Sequence, residues 1–181
     1  MEYDTYDSVG VCMNTSHLLQ FREQKDAFFK QSDQSPVPPE RRSAFTGLAY
    51  FPPSEELAFE VELDAVEPTE VEISTTTGGV RSYLRVATAT FAVDDRQATV
   101  ALYSTDQDGL FLPFRDTTSG DETYGAGRYV DVHPGEGGVA LIDFNYAYAP
   151  FCAYSDYYSC ALPPAENWLE VPVRAGERIP D

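Results

Sequence analysis

One arginine in the C-terminal half of the chain is expected to be buried where its guanidinium could do chemistry. A strand predicted over residues 123–132 places Arg128 on the same face as Val130 and Val132, because side chains alternate along a strand. A lone buried charge costs several kcal/mol, so the guanidinium needs a partner. Arg128 therefore either joins a structural ion pair or clamps the carboxylate or phosphate of a small ligand with its fork of N–H donors.

Three carboxylates could form that ion pair, namely Asp116, Glu122 and Asp143. Gly125 and Gly127 fall on the opposite face of the same predicted strand. They leave room there for a bulge or for the close approach of a backbone or a ligand. Both interpretations of the arginine are compatible with these glycines.

The segment "DFNYAYAPFCAYSDYYSC", residues 143–160, is dense in tyrosine, and three explanations compete for it. The tyrosines could bury area as an irregular cover while their hydroxyls satisfy backbone groups. They could instead form the wall of a ligand pocket, since such walls are largely aromatic. In an enzyme, Tyr148 or Cys152 would act as acid or nucleophile, with Arg128 or Arg115 as the oxyanion partner.

The cysteines do not follow a common metal-binding pattern. Cys152 and Cys160 are separated by seven residues rather than by the two to four of a zinc knuckle. Only His133, Asp143 or Glu166 could complete a ligand set, so we expect no bound metal and no cofactor. Free thiols acting as small hydrophobes are favoured, and a disulfide remains an alternative.

The candidate ligand-binding residues belong to one predicted opening, covered by the segment 143–167. Five of them would line it: Arg115, Asp116, Arg128, Asp143 and Asn145. The remaining candidates are Tyr129, Tyr148, Cys152, Tyr154 and Glu166. Glu166 and its neighbour Asn167 follow a rigid double proline, which could aim them inward or leave them to cap a turn.

A single helix is predicted near the N-terminus, after an acidic tail at residues 1–13. Asn14 to Ser16 offer N-caps, and Leu18, Phe21, Phe28 and Phe29 recur at helical spacing. The prolines of "SPVPPE" end the helix. A weaker helical turn is predicted at residues 41–45.

From residue 57 onward the apolar residues recur with a period of two, which predicts strands. The predicted strands cover residues 57–63, 70–74, 82–93, 97–103, 110–115, 123–132, 138–146 and 168–173. Short turn-rich connections indicate antiparallel neighbours. We therefore expect an all-β fold, a single antiparallel β-barrel-like or sandwich domain over residues 14–181 with an N-terminal α-helix.

The charge of the chain is strongly negative. Thirty carboxylates face twelve basic residues, giving a net charge of −18, and only two of the basic residues, Lys25 and Lys30, are lysines. This composition favours a protein of a salt-loving microbe, because molar salt screens the self-repulsion. Such a surface repels nucleic acid and anionic membranes. With no signal-peptide pattern and no long apolar stretch, a cytoplasmic location is expected.

Four long strings of the sequence resemble a family of small bacterial and archaeal proteins catalogued as a domain of unknown function. They are "LLQFREQKDAFFK", "SPVPPERRSAFTGLAYFPP", "LFLPFRDTTSGDETYGAGRYVDV" and "DFNYAYAPFCAYSDYYSCALPPAENWLEVPVRAGE", within residues 18–177. The sequence departs from the family pattern in "AYAP", where Tyr-Asn-Pro is expected, and in "CALPP", where Cys-Pro is expected. The resemblance implies one intact domain and no established activity, cofactor or catalytic residue.

The function expected from these observations is the binding of a small molecule, with an anionic ligand as one candidate. An enzyme of hydrolase-like or isomerase-like type is the first alternative, and a structural or partner-binding protein with a filled interior is the second. An enzyme should show a carboxylate, tyrosine or cysteine with a strongly shifted pKa in its pocket. A filled interior would favour the structural alternative. The sequence does not indicate an oligomeric state.

Overall fold

The computed structural model describes residues 14–105 and 109–179; the predicted acidic tail and Cys12 lie outside this part of the chain. Helix α1 spans Thr15–Gln31 and the short helix α2 spans Pro39–Arg42. The strands are β1 Ala49–Tyr50, β2 Ala58–Glu62, β3 Asp64–Ser74, β4 Val80–Val93, β5 Arg96–Ser104, β6 Leu110–Phe114, β7 Arg128–Val132, β8 Val139–Asp143 and β9 Glu177–Arg178. None of the helices in these ranges has the length and apolar character of a membrane span.

Strands β3 to β7 form one antiparallel sheet in the order in which they follow each other along the chain. Strands β4 and β5 meet at a two-residue turn in which Asp94 and Asp95 have φ of 48° and 61°. Aspartate tolerates this left-handed region better than most residues do, because its short side chain bonds locally. The turn chemistry of "DDR" therefore places this hairpin where the sequence predicts it.

A second layer covers one face of this sheet. It contains the antiparallel pair β2–β8, and Phe59 of β2 stacks on Phe91 of β4 with ring centroids 4.7 Å apart. Phe114 of β6 meets Phe144, just after β8, edge to face at 5.0 Å. The main core lies between these layers and includes residues 169–175. The all-β prediction with an N-terminal helix is confirmed.

Of the two predicted architectures, the sandwich fits and the closed barrel does not. Within the described residues, β3 and β7 are the two edges of the five-stranded sheet and do not pair with each other. Strand β9 pairs separately with β1. The space between the layers is filled by side chains, among them Leu102, Leu112 and Ile142, each with no exposed surface.

Helix α1 is fixed to the β-structure by polar side chains more than by an apolar stripe. Its buried residues are Leu18, Arg22 and Phe29, whereas Phe28 is exposed. Arg22 donates to the carbonyl of Phe51 at 3.0 Å. The first turn is capped by Asn14, whose side chain accepts from the amide of residue 17. The predicted helix is therefore confirmed, but its attachment differs from the apolar packing that its periodicity suggests.

Two predicted strands are wrong in extent or in kind. The strand predicted over 123–132 begins only at Arg128, because the amides of Glu122 and Thr123 bond back to Thr118 in a turn. Residues 168–173 form no ladder. The amide of Val173 donates to the carboxylate of Asp116 instead, at 2.7 Å. The segment keeps only an isolated parallel bridge, between Trp168 and Arg115, and the Asp116 side chain supplements it where a full partner strand was expected.

Candidate functional site

Arg128 lies at the first residue of β7 with no exposed surface. Its terminal nitrogens donate to the backbone carbonyls of Val173 at 2.7 Å, Ala175 at 2.5 Å and Glu177 at 3.0 Å. The fourth acceptor is the carboxylate of Asp116, at 3.5 Å. The four N–H groups of the two terminal nitrogens thus have four acceptors within the protein. They are therefore already occupied by the chain and do not face a ligand.

Asp116 is the ion-pair partner of this arginine among the three carboxylates that the sequence offered. Its carboxylate also accepts from the Thr118 hydroxyl at 2.8 Å and from the amide of Val173. Burial lowers the pKa of Arg128, and the charge of Asp116 opposes that shift. The pair is therefore a structural junction between the β6–β7 connection and the C-terminal segment.

Asp143 and Asn145 form a second junction, at the end of β8. The Asp143 carboxylate accepts from the Asn145 amide at 2.9 Å and from its side chain at 2.7 Å. Asn145 in turn exchanges two hydrogen bonds with the backbone of Ser54, at 2.8 and 2.7 Å. Burial raises the pKa of Asp143, and the bonds from Asn145 oppose that shift. These two candidates hold the chain before β2 against β8.

Glu166 points toward the sheet rather than into an opening. Its carboxylate accepts from the Tyr103 hydroxyl at 2.6 Å and pairs with Arg85 at 2.8 Å. The next residue, Asn167, is fully buried and bonds the backbone of Ala101 in both directions, at 2.7 and 2.9 Å. Of the two orientations that the sequence left open for Asn167, inward or capping the turn, the structure shows the inward one.

Arg115 and Tyr129 lie in different surroundings. The Arg115 guanidinium covers the ring of Trp168 at 5.1 Å. The Tyr129 hydroxyl donates to the carbonyl of Ala161 at 2.5 Å, and its ring meets that of Tyr148 edge to face at 5.7 Å. Burial raises the pKa of both tyrosines, which keeps their hydroxyls protonated. They act as hydrogen-bond donors to the chain.

Sequence reasoning missed a buried polar side chain with three partners, that of Glu177 in β9. Its carboxylate is 3% exposed and pairs with the ammonium of Lys25 in α1 at 2.5 Å. It also accepts from the Ala149 amide at 2.8 Å and from the Tyr154 hydroxyl at 2.9 Å. Lys25 further covers the ring of Tyr148 at 4.7 Å. The scarcity of lysine was the one available signal, since Lys25 is one of only two in the chain.

Tyr154 connects this buried cluster to the surface. Its hydroxyl bonds Glu177, and its ring packs edge to face on Phe29 at 5.0 Å. Burial and the nearby Glu177 charge raise its pKa, so the hydroxyl stays a donor. On the outer side it lines an open groove of about 410 Å³, which we call the Tyr154 groove. The groove is lined by Pro38, Arg41 and residues 152–157.

The structure does not gather the ten candidate residues around one opening. It joins Asp116 with Arg128, Asp143 with Asn145, and Tyr129 with Tyr148. Cys152 and Tyr154 share the Tyr154 groove. Arg115 and Glu166 have the separate partners described above. The predicted opening lined by Arg115, Asp116, Arg128, Asp143 and Asn145 is not formed.

A larger open groove, of about 670 Å³, lies on the sheet surface among residues of β3, β4 and β6. Its floor contains Tyr83 and Phe111, stacked at 5.5 Å. It contains none of the ten candidates. The Tyr154 groove is the better candidate site, because it adjoins the buried cluster and the tyrosine-rich segment.

The cysteines of this region are free thiols in the described part of the chain. Cys152 and Cys160 are both half-buried and unbridged. Within residues 14–105 and 109–179, no three histidine, cysteine, aspartate or glutamate side chains are grouped as metal ligands. The expectation of no bound metal stays a prediction for elemental measurement.

Comparison with known proteins agrees with the resemblance seen in the sequence. A solution NMR structure of an uncharacterized protein of Haloarcula marismortui is 41% identical, and the match covers 91% of this chain and 94% of that one with a TM-score of 0.71. No curated protein matches. The family model described as "Protein of unknown function (DUF1684)" matches residues 43–178. The predicted family is thereby confirmed, and the chain belongs to this DUF1684 family.

Proposed function

We propose that the protein binds a small anion that carries a ring, in the Tyr154 groove. Because the space between the layers is packed with side chains, a ligand has to bind at the surface. The observation that carries the proposal is the pairing of Arg41 and the 89% exposed ring of Tyr157 around one groove. A guanidinium suits a carboxylate, and an exposed tyrosine ring suits a flat apolar body.

The size and stiffness of the groove support this function. A volume of about 410 Å³ falls within the range of small-molecule sites, about 300 to 1,000 Å³. The Tyr154 side chain is held by Glu177 on one side and Phe29 on the other. Because this wall is already ordered before binding, less conformational entropy is lost when a ligand binds.

Electrostatics restricts how the ligand can be recognised. A chain of net charge −18 repels anions at long range. In molar salt that repulsion is screened within a few ångströms. Recognition therefore depends on direct hydrogen bonds from Arg41 and on ring contact. A ligand with both groups should bind better than an anion without a ring.

The experiment is a titration of the amide NMR spectrum in molar KCl with benzoate and with inorganic phosphate. We expect benzoate to shift amides of residues 152–157 and phosphate to shift them less. Arg41→Ala and Tyr157→Ala should each weaken benzoate binding by about tenfold, equivalent to about 1.4 kcal/mol. Arg96→Ala is the matched control, because that arginine is exposed and remote from the groove.

Three results would contradict the proposal. In the first, Arg41→Ala leaves the benzoate affinity unchanged. In the second, the shifted amides cluster around Tyr83 and Phe111, which would assign binding to the larger groove. Benzoate that causes no shifts near saturation of its solubility would also overturn it and favour a structural or partner-binding role.

A further inference from the structure

The two described cysteines are in contact although nothing bridges them. The amide of Cys152 donates to the sulfur of Cys160 at 3.4 Å. A disulfide needs its two β-carbons about 3.5 to 4.5 Å apart. The short distance from the Cys152 amide to the Cys160 sulfur brings the two ends of this short loop close to that separation.

The surrounding structure fixes each cysteine separately. The amide of Cys160 donates to the Thr76 hydroxyl at 3.1 Å, and its carbonyl accepts from the Thr76 amide at 2.9 Å. Cys152 lies in the short helical turn Phe151–Ala153, and the Tyr124 hydroxyl is 3.6 Å from its sulfur. The thiols are therefore brought together by the fold, and their proximity does not depend on a flexible loop.

The two thiols differ in their relation to the Tyr154 groove. Cys152 lines the Tyr154 groove, which is open to solvent. Cys160 is not among the groove residues, and burial raises the pKa of its thiol to about 11. A small reagent therefore meets Cys152 first. Cys160 stays protonated at neutral pH and becomes the second thiol to react.

We propose that Cys152 and Cys160 are a reversible dithiol–disulfide pair that exchanges with small disulfides entering the Tyr154 groove. This inference does not rest on the binding of an anion there. It gives the groove a second activity, thiol–disulfide exchange. The segment 152–160 then exists in two covalent states, the dithiol and the disulfide.

The exchange proceeds in two balanced steps. The Cys152 thiolate attacks one sulfur of the small disulfide, so that a mixed disulfide forms and one small thiolate leaves. Cys160 then loses its proton and attacks the Cys152 sulfur, and the second small thiolate leaves. The two protein thiols are oxidised by two electrons in total. The small disulfide is reduced to two thiols, which carry away the two protons.

The test uses the full chain with Cys12→Ser, which leaves only the two thiols of interest. The protein is equilibrated in molar KCl with mixtures of reduced and oxidised glutathione, quenched with acid, alkylated and weighed by intact mass spectrometry. We expect one population that loses two hydrogens and takes up no alkylating reagent. Adding Cys160→Ser should instead trap one glutathione on Cys152.

A second variant tests the order of attack. Cys152→Ser in the same background should react with oxidised glutathione about tenfold more slowly than Cys160→Ser, because its remaining thiol lies off the groove lining and has a raised pKa. Two glutathione molecules on the Cys12→Ser protein would overturn the proposal. So would a native protein that stays reduced in oxidised glutathione while the same protein, unfolded in guanidinium, reacts.

Discussion

The buried charged residues of this protein bind its own backbone. Arg128 donates to three carbonyls of the C-terminal segment, and Asp116 accepts from an amide of the same segment. Burying these charged groups costs free energy because they lose their water, but their hydrogen bonds fix the position of the segment. A residue type that suits ligand binding thus serves here to hold an irregular segment that has little strand pairing of its own.

At this scale we predict a stability effect for the Arg128 ion pair. Arg128→Met should lower the free energy of unfolding by about 3 to 5 kcal/mol, because it leaves Asp116 and three carbonyls buried without their donor. Arg128→Met with Asp116→Asn should cost less than the sum of the two single changes, because the stranded charge is gone. The measurement is chemical denaturation in molar KCl.

The matched control for this prediction is Arg96→Met. That arginine forms only an exposed pair with Glu170 at 3.6 Å, and such pairs contribute at most about 1 kcal/mol. If Arg128→Met were as mild as the control, the arginine would not hold the C-terminal segment. Full additivity of the two changes would show that Asp116 and Arg128 are not coupled.

At the scale of elements, helix α1 is attached by three polar side chains on one face. Arg22 donates to Phe51, Lys25 pairs with Glu177, and Asp26 accepts from the amide of Leu48 at 2.9 Å. Residues three and four apart share a helix face, so these side chains all reach the β-structure. Burial raises the pKa of Asp26, while the bond from Leu48 opposes that shift.

The two lysines of the chain provide a test of this attachment. Lys25→Met should lower the free energy of unfolding by about 3 kcal/mol, because Glu177 is left as a buried charge without its cation. Lys30→Met removes the same charge from the same helix at an exposed position and should cost less than about 0.5 kcal/mol. Chemical denaturation measures both, and amide hydrogen exchange of α1 should accelerate only for Lys25→Met. Equal effects would contradict the assigned role of the pair.

The sequence predicted those elements whose signal is local. The period-two alternation located β2 and the long hairpin β4–β5, and the N-cap and prolines located α1. It did not predict the irregular course of residues 168–173, because this segment is held by a few backbone bonds to residues 115–117 and by the side chains of Asp116 and Arg128 at Val173. A side chain that replaces a strand partner depends on tertiary contacts that no local pattern contains.

The candidate site was predictable only in part, for the same reason. Period two correctly put Arg128 on the buried face, and residue chemistry correctly required a partner for it. The tyrosine-rich segment contains Tyr154, and the groove beside it stays a proposed site. The contribution of Arg41 and of the pair between Lys25 and Glu177 depends on contacts between residues far apart in the chain, which one sequence without its fold does not show.

At the scale of the whole molecule, the excess of carboxylates governs stability. Eighteen net negative charges on 181 residues repel one another in dilute buffer. We therefore predict that the melting temperature rises between dilute buffer and molar KCl. A variant with several surface glutamates of β3, such as Glu67, Glu70 and Glu72, changed to glutamine should show a smaller rise. A melting temperature that does not change with salt would contradict the proposed adaptation to high salt.

The contacts of β9 with β1 and α1 have a consequence for folding during synthesis on the ribosome. Helix α1 leaves the exit tunnel first, yet the carboxylate that pairs with its lysine belongs to Glu177, near the last residue of the sequence. At ordinary rates of translation the interval is on the order of ten seconds. During that time Lys25 of the helix lacks its partner Glu177, and strand β9 has not yet been made. Helix α1 is thus made before β9 but can form these contacts only after it. A nascent chain stalled before residue 177 should therefore leave α1 accessible to protease.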